Sequence, residues 1–151
     1  MVVPSPALVL LVISILVVLA VFGQARTFSV ERGDDLQAVL SFAEDGDTVL
    51  LGAKRFSAVR TAFAEPVCGN CDEARTTVQA SFGFRIRDKG LVVIGQSRDS
   101  TILVTNAGYG LFLDGADGTE IHNLTITGGK RNDDGRATDG GIVVRQAQVT
   151  I

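Results

Sequence analysis

The chain has no tryptophan, one tyrosine, one histidine, three prolines and two cysteines in 151 residues. Two cysteines exclude a disulfide-rich scaffold. The single histidine, His122, has no convincing serine and carboxylate partners, and neither GxSxG, HExxH nor a phosphate-binding glycine loop occurs. No sign of charge dominates: 14 Lys and Arg stand against 17 Asp and Glu, a net of −3. That balance argues against a basic nucleic-acid binder and against a disordered acidic tail. Charge is missing altogether from residues 1–25, so all of it falls in the remaining 126, about one residue in four. That is an ordinary density for a soluble domain. Few prolines beside 17 glycines indicate an ordered chain with many tight turns, and the length suits about one domain.

What the first 25 residues do contain is an apolar run, Ala7 to Phe22, interrupted only by Ser14. It is slightly long for a signal-peptide core and slightly short for a membrane span of about 20 residues. Gly23 and Ala25 stand at −3 and −1 of a cut after Ala25, as signal peptidase requires, yet Met1 to Pro6 carries no Lys or Arg. Residues 1–25 are therefore read as a leader helix that is either a cleaved signal peptide or an uncleaved anchor. Both send Arg26 onward out of the cytoplasm, to a secreted, periplasmic or cell-surface location, with membrane contact only through residues 1–25 if the leader is retained.

After the leader, residues 26–52 form an N-terminal cap in this reading. Arg26 to Val30 alternates as a short strand. Asp34 and Asp35 offer an N-cap to a helix whose apolar stripe is Leu36, Val39, Leu40 and Ala43, with Gly46 placed to end it. Arg32-Gly33-Asp34 spells an adhesion tripeptide, but three residues are outweighed by the turn and cap they also make. Asp47 to Leu51 is a further strand. Residues 53–82 read as an inserted loop.

From residue 83 one pattern is written three times: Gly83-Phe84-Arg85-Ile86-Arg87, Gly110-Leu111-Phe112-Leu113-Asp114 and Gly141-Ile142-Val143-Val144-Arg145. Each is glycine, apolar, variable, apolar, charged. The leading glycines recur 27 and 31 residues apart. A turn and a second strand follow each, at Leu91–Ile94, Thr119–His122 and Val149–Ile151, and a third strand follows the first two, at Thr101–Thr105 and Leu124–Thr127. Three short strands per repeat at such a period predict a solenoid, in which stacking turns about 4.8 Å apart pairs every strand with its equivalents. Phe84, Leu111 and Ile142 then form one inward column, Ile86, Leu113 and Val144 a second, and Ile94 with Ile126 a third. The helix at 35–43 covers the first open edge.

With its export leader, the capping helix Asp-Asp-Leu-Gln-Ala-Val-Leu, and the strings GDTVLLG, GLVVIG and GTEIHNLTITGG, the chain resembles the pectin-lyase-like right-handed parallel β-helix family over residues 27–151, apart from 57–82. The resemblance implies an all-β fold and leaves the activity open, because the family holds polysaccharide lyases, glycoside hydrolases, epimerases and adhesins. Residues 83–151 are the coils. Val149-Thr150-Ile151 stops in mid-turn, so the chain is expected to be the N-terminal part of a longer protein, marginal in stability by itself.

The segments before each glycine-led strand, 57–82, 106–109 and 128–140, leave one corner of the coil. Two long loops beside a short one wall a shallow cleft, with the outward face of the glycine-led strands as floor. Arg85, Phe112 and Val143 form one row of it and Arg87, Asp114 and Arg145 the next. The resemblance adds that β-helix carbohydrate enzymes bind polymer along such a face. The second row reads first as a surface salt-bridge ladder and second as a site for acidic sugar. Phe112 either stacks on a sugar ring or lies under a loop. Lys130, Arg131 and Arg136 are further cations for a substrate carboxylate. Asp133, Asp134 and Asp139 offer oxygens for Ca²⁺, although the spacing is no EF-hand and a solvated turn explains it better. Cys68-Gly69-Asn70-Cys71 reads first as a local disulfide between Cys68 and Cys71, then as an intersubunit or zinc pair, and last as a redox centre. Asn123-Leu124-Thr125 matches a glycosylation sequon, but its corner position favours a stacked asparagine ladder.

Two functions follow as expectations. One is an exported β-helix protein that binds or processes polysaccharide or a cell-surface glycan, a lyase or hydrolase if it is an enzyme. The other is a non-catalytic scaffold or adhesin. Nucleic acid is not an expected partner.

Overall fold

A computed structural model describes residues 24–66, 77–131 and 139–151. Residues 1–23 of the leader, the Cys68–Cys71 pair, Asp133, Asp134 and Arg136 lie outside the described residues. Among the described residues, no helix is long and apolar enough to cross a membrane. The regular structure of the described residues is strand apart from one short helix, so the all-β expectation holds.

Among the described residues, twelve strands fall into three sheets. Sheet A contains β1 (Thr27–Val30), β2 (Thr48–Leu51), β6 (Val92–Gly95), β9 (Thr119–His122) and β12 (Val149–Thr150), in that order. Sheet B contains β3 (Arg55–Ser57), β7 (Ile102–Val104) and β10 (Thr125–Thr127). Sheet C contains β4 (Thr61–Glu65), β5 (Val78–Arg87), β8 (Tyr109–Asp114) and β11 (Gly140–Arg145). From β5 onward the chain visits C, A and B in the same cyclic order. All pairings are parallel except that of β4 with β5.

The register is the one the repeats predict. Phe84 lies beside Leu111 and Leu111 beside Ile142; Ile86, Leu113 and Val144 follow in the same way. Sheet A adds Phe28, Val49, Val93 and Ile121, and sheet B adds Phe56, Leu103 and Ile126. All of these side chains except the exposed Val144 converge on a single core. The expected column of Ile94 with Ile126 does not form. Ile94 pairs with His122 in sheet A, and Ile126 pairs with Leu103 in sheet B. Val92-Val93-Ile94 is apolar at every position, so a period of two has no readable phase there, and Val93 is the residue that turns inward.

Corners between sheets recur as well. Asp88, Gly115 and Gln146, each just past a sheet C strand, take the left-handed conformation at φ 54°, 61° and 49°. Asn106 and Gly128 do the same after sheet B. The leading glycine Gly110 has a different reason: a Cβ there would stand 2.4 Å from the carbonyl oxygen of Gly141 in the neighbouring strand. Only a hydrogen fits.

Helix α1 (Leu36–Phe42) is N-capped by Asp35, whose carboxylate accepts from Ala38 N at 3.2 Å. Its predicted stripe is buried at Leu36, Leu40 and Ala43. Gly46 does not end the helix. Ala43 is the C-cap, and Gly46, at φ 81°, belongs to the following turn, where Asp47 N donates to Glu44 O. The side chain of Gln37 replaces a missing strand beside β5: its Oε1 accepts from Arg85 N at 2.8 Å and its Nε2 donates to Arg85 O at 3.0 Å. The same end is pinned by Asp47, 2 % exposed, which accepts from Arg26 N at 2.7 Å, Arg26 Nη2 at 2.8 Å and Glu44 N at 2.7 Å. Those donors, the Arg26 side chain first, hold the Asp47 carboxyl well below the usual carboxylate range.

The described parts of 53–82 are not a loop but mostly strand. They supply β3 to sheet B, and β4 folds back antiparallel on the first half of β5, Thr61 opposite Phe82 and Glu65 opposite Val78. This hairpin builds a second, smaller core of Ala80, Phe82, Tyr109 and Phe112, with Phe63 and Val143 packed against it.

Candidate functional site

The outward face of sheet C is the predicted floor, and the two predicted rows are present as Arg85–Phe112–Val143 and Arg87–Asp114–Arg145. The hairpin changes what they can do. Phe112 is 1 % exposed. Phe63 of β4 stacks on it with ring centroids 5.4 Å apart and planes 23° apart, while Tyr109 meets it edge-on at 5.5 Å. Phe112 therefore cannot stack on a sugar in this structure; the second possibility, cover by a neighbouring segment, is the one realised. Burial, reinforced by the charge of Glu65, pushes the Tyr109 hydroxyl above its ordinary pKa.

The charged row is half a ladder. Arg87, exposed, reaches Asp88 at 3.1 Å and Asp114 at 3.8 Å. Arg145 turns away from Asp114 and forms an ion pair with Glu65 of β4, a residue with no exposed surface, while its guanidinium lies 5.1 Å from the Phe112 ring centre. A buried carboxylate wins this arginine because its desolvation must be compensated, whereas Asp114 keeps water and Arg87. Arg145 is thus committed to closing the face.

The remaining cations gather at the α1 end. Arg85 is held through its backbone by Gln37 and sets its guanidinium 4.8 Å from the Phe82 ring centre. Arg85, Arg87 and Lys89 share a pocket of about 210 Å³ with Gln37, Leu40 and Ser41. Lys89 Nζ donates to Ser41 O at 2.8 Å and to Ala43 O, so it neutralises the carbonyl end of α1. Burial lowers its pKa against the pull of Asp47 and Glu44.

The other sequence candidates lie elsewhere. Lys130 is exposed and is tied through its backbone N to Ala107 O at 2.9 Å. Arg131 pairs with Asp139 at 3.3 Å, so the described part of the acidic segment carries its own counter-charge. Among the described residues no group of three or more His, Cys, Asp or Glu is placed to hold a metal ion. His122 is on sheet A, 3.0 Å from Glu120. Asn123 is exposed at φ 54° and stacks over Gly95, whose Cβ position lies 2.3 Å from Asn123 O. Its neighbour in the stack is a glycine, so the asparagine ladder is not made there.

The residues that sequence reasoning missed are Gln37, Phe63, Glu65, Phe82 and Tyr109. The alternation in Thr61-Ala62-Phe63-Ala64-Glu65 was a usable strand signal for the hairpin. Nothing in the sequence marks Gln37. In comparison with known proteins, no family model, no curated protein and no solved structure matches the chain.

Proposed function

We propose that this chain is an exported right-handed parallel β-helix of the pectin-lyase-like type, and that it binds an acidic polysaccharide at the cell surface through the outward face of sheet C. Three points support the coiled arrangement: the cyclic order of strands through the three sheets, the parallel pairing from turn to turn, and the repeated left-handed corners. The observation that carries the binding reading is the pocket where Arg85, Arg87 and Lys89 converge. Two of those cations are offered by alternate positions of one strand, and Gln37 fixes the backbone between them and the helix, so the charges are held at defined positions before a ligand arrives. Binding is favoured over processing because Glu65 is sealed under the hairpin and Asp114 is engaged by Arg87. Export rests on the leader in residues 1–25; mass spectrometry of the mature N-terminus separates cleavage after Ala25 from retention as an anchor.

The second reading, a non-catalytic scaffold or adhesin, is favoured by one feature, the closure of the rest of this face by Phe63 and the Glu65–Arg145 pair. Retention of the full chain on polygalacturonate, alginate and neutral dextran distinguishes the two. Retention on the acidic polymers that falls with salt and is lost in R85Q/R87Q supports the binding reading. Equal behaviour on all three polymers, or none at all, refutes it in favour of the scaffold. Release of shortened oligosaccharides would replace binding with processing.

A further inference from the structure

Five residues join β1 to α1: Glu31, Arg32, Gly33, Asp34 and Asp35, all of them exposed. They are mounted between two buried anchors, Val30 at the end of β1 and Leu36 at the start of α1. The turn is also tied to itself. Asp34 N donates to Glu31 O at 3.3 Å, and Asp34 Oδ2 accepts from Glu31 N at 2.7 Å. Lys54 Nζ donates to the same Glu31 O at 2.9 Å. The Glu31 carboxylate lies over Gly52, where a Cβ would stand 2.7 Å from Glu31 Oε2. Gly33 sits at φ 101° with open space around its Cβ position.

Capping the helix does not occupy these side chains. Asp35, not Asp34, is the N-cap of α1. Asp34 engages one carboxylate oxygen inside the turn, and its Oδ1 makes no hydrogen bond among the described residues. Arg32 makes neither a hydrogen bond nor an ion pair among the described residues. The adhesion tripeptide in the sequence is therefore also a presented one. A fixed backbone displays an unengaged guanidinium and an unengaged carboxylate oxygen on either side of a residue without a side chain.

We propose that Arg32-Gly33-Asp34 is an adhesion site for a receptor that offers a carboxylate to Arg32 and its own bound divalent cation to Asp34 Oδ1. A guanidinium takes a carboxylate through two parallel N–H bonds, which fixes orientation as well as charge. A carboxylate oxygen is a hard ligand that completes the shell of Mg²⁺ or Mn²⁺. Glycine between the two holds a positive φ that other residues adopt only with strain, and it leaves room for the receptor surface. Because the bonds to Glu31 set the turn before the receptor arrives, little ordering is left for binding to impose. The proposal rests on the export reading. It is independent of polysaccharide binding, because the pocket of Arg85, Arg87 and Lys89 shares none of these residues.

The test measures binding of a panel of integrin ectodomains that recognise this tripeptide to the full chain, immobilised in detergent, with Mn²⁺ present. The expected result is saturable binding that EDTA abolishes and a Gly-Arg-Gly-Asp-Ser peptide displaces. Asp34→Glu, one methylene longer, and Arg32→Gln each weaken it by about 30-fold or more, the scale of losing one partner of an interfacial charge pair. Strand circular dichroism is kept in both. Arg98→Gln, at an exposed arginine between β6 and β7, leaves binding unchanged. No saturable binding to any ectodomain overturns the proposal, as does binding that survives EDTA or is unaffected by Asp34→Glu. Should Asp34→Glu lose its strand signal, EDTA and Arg32→Gln decide. Retention on acidic polymer, read on the same preparations, is unchanged in Asp34→Glu, and its absence from the unaltered chain refutes only the polysaccharide reading. A chain that protease added outside intact cells never reaches overturns the export reading and the adhesion role with it.

Discussion

Removing Arg145 is expected to cost the fold far more than removing the charge of Glu65, although the two are partners in one ion pair. The asymmetry follows from burial. Glu65 has no exposed surface, while the Arg145 side chain is 25 % exposed. Arg145→Met takes one ion-pair partner from a carboxylate with no exposed surface, and stripping a partner from a buried charge costs about 3–5 kcal/mol. Glu65→Gln leaves a neutral acceptor at the same place, and Arg145 can turn its charge toward water, so the expected cost is about 1 kcal/mol. The double variant Glu65→Leu/Arg145→Met exchanges the pair for apolar volume and is expected within about 1 kcal/mol of the unaltered chain.

Equilibrium unfolding in urea measures all three, and the molecule carries its own reporter. Tyr109 is the only tyrosine, there is no tryptophan, and Tyr109 lies in the cluster closed by the pair. The midpoints should shift at constant denaturant slope, which assigns the change to stability and not to a more open unfolded state. Two single variants equal within about 0.5 kcal/mol, or a double variant as damaged as Arg145→Met, would refute the argument that burial of Glu65 decides where Arg145 goes.

Four further outcomes are expected. Phe112→Ala should destabilise by about 3–5 kcal/mol, as for a core phenylalanine, while leaving polysaccharide retention intact wherever the variant remains folded, since the ring is covered by Phe63. Gly110→Ala should cost about 2–3 kcal/mol, because its Cβ meets the backbone of Gly141, whereas Gly141→Ala, with nothing within 4 Å, should be nearly neutral; thermal midpoints compare the two. Asp47 has a folded pKa below its unfolded one, so its contribution is complete above about pH 4 and is lost as the pH falls further; the midpoint difference between the unaltered chain and Asp47→Asn should shrink on acidification. Tyr109 has a raised folded pKa, so the stability it contributes is complete below about pH 10 and is lost as the pH rises through the folded value; absorbance at about 295 nm should show it ionising later in the folded chain than in urea.

Much of the architecture was legible because parallel pairing between the repeats sets their equivalent residues side by side. Once Gly83, Gly110 and Gly141 are aligned, Phe84 must meet Leu111, and Arg87 must meet Asp114. Local signals also sufficed for α1, where an Asp cap and a spaced apolar stripe agree. Reading failed where phase or competition mattered. Val92-Val93-Ile94 gives no phase. Register states which charges are neighbours but not which partner prevails, and Arg145 belonged to a carboxylate 80 positions earlier in the chain. Alternation also assigned Phe112 to the outer face correctly without revealing what lay over it.

The covering hairpin itself depends on the repeated glycines. In a regular strand Phe82 and Phe84 share a face, as do Tyr109 and Leu111. Here Phe84 and Leu111 belong to the main core, while Phe82 and Tyr109 belong to the second core with Phe112. The change of side occurs across Gly83 and Gly110, where a Cβ would stand 2.9 Å from Gly110 O and 2.4 Å from Gly141 O of the neighbouring strand. Each glycine therefore does two things with one missing carbon. It lets successive turns approach, and it lets the preceding aromatic leave the inner face and join the outer one. The outer face then has enough apolar surface, Phe82, Tyr109 and Phe112, for β4 to fold onto, and Phe63 and Glu65 are placed by that contact. On this argument the glycines that lead the repeats also determine why the expected cleft floor is closed around Phe112, while the Arg85–Arg87–Lys89 end of it keeps a pocket.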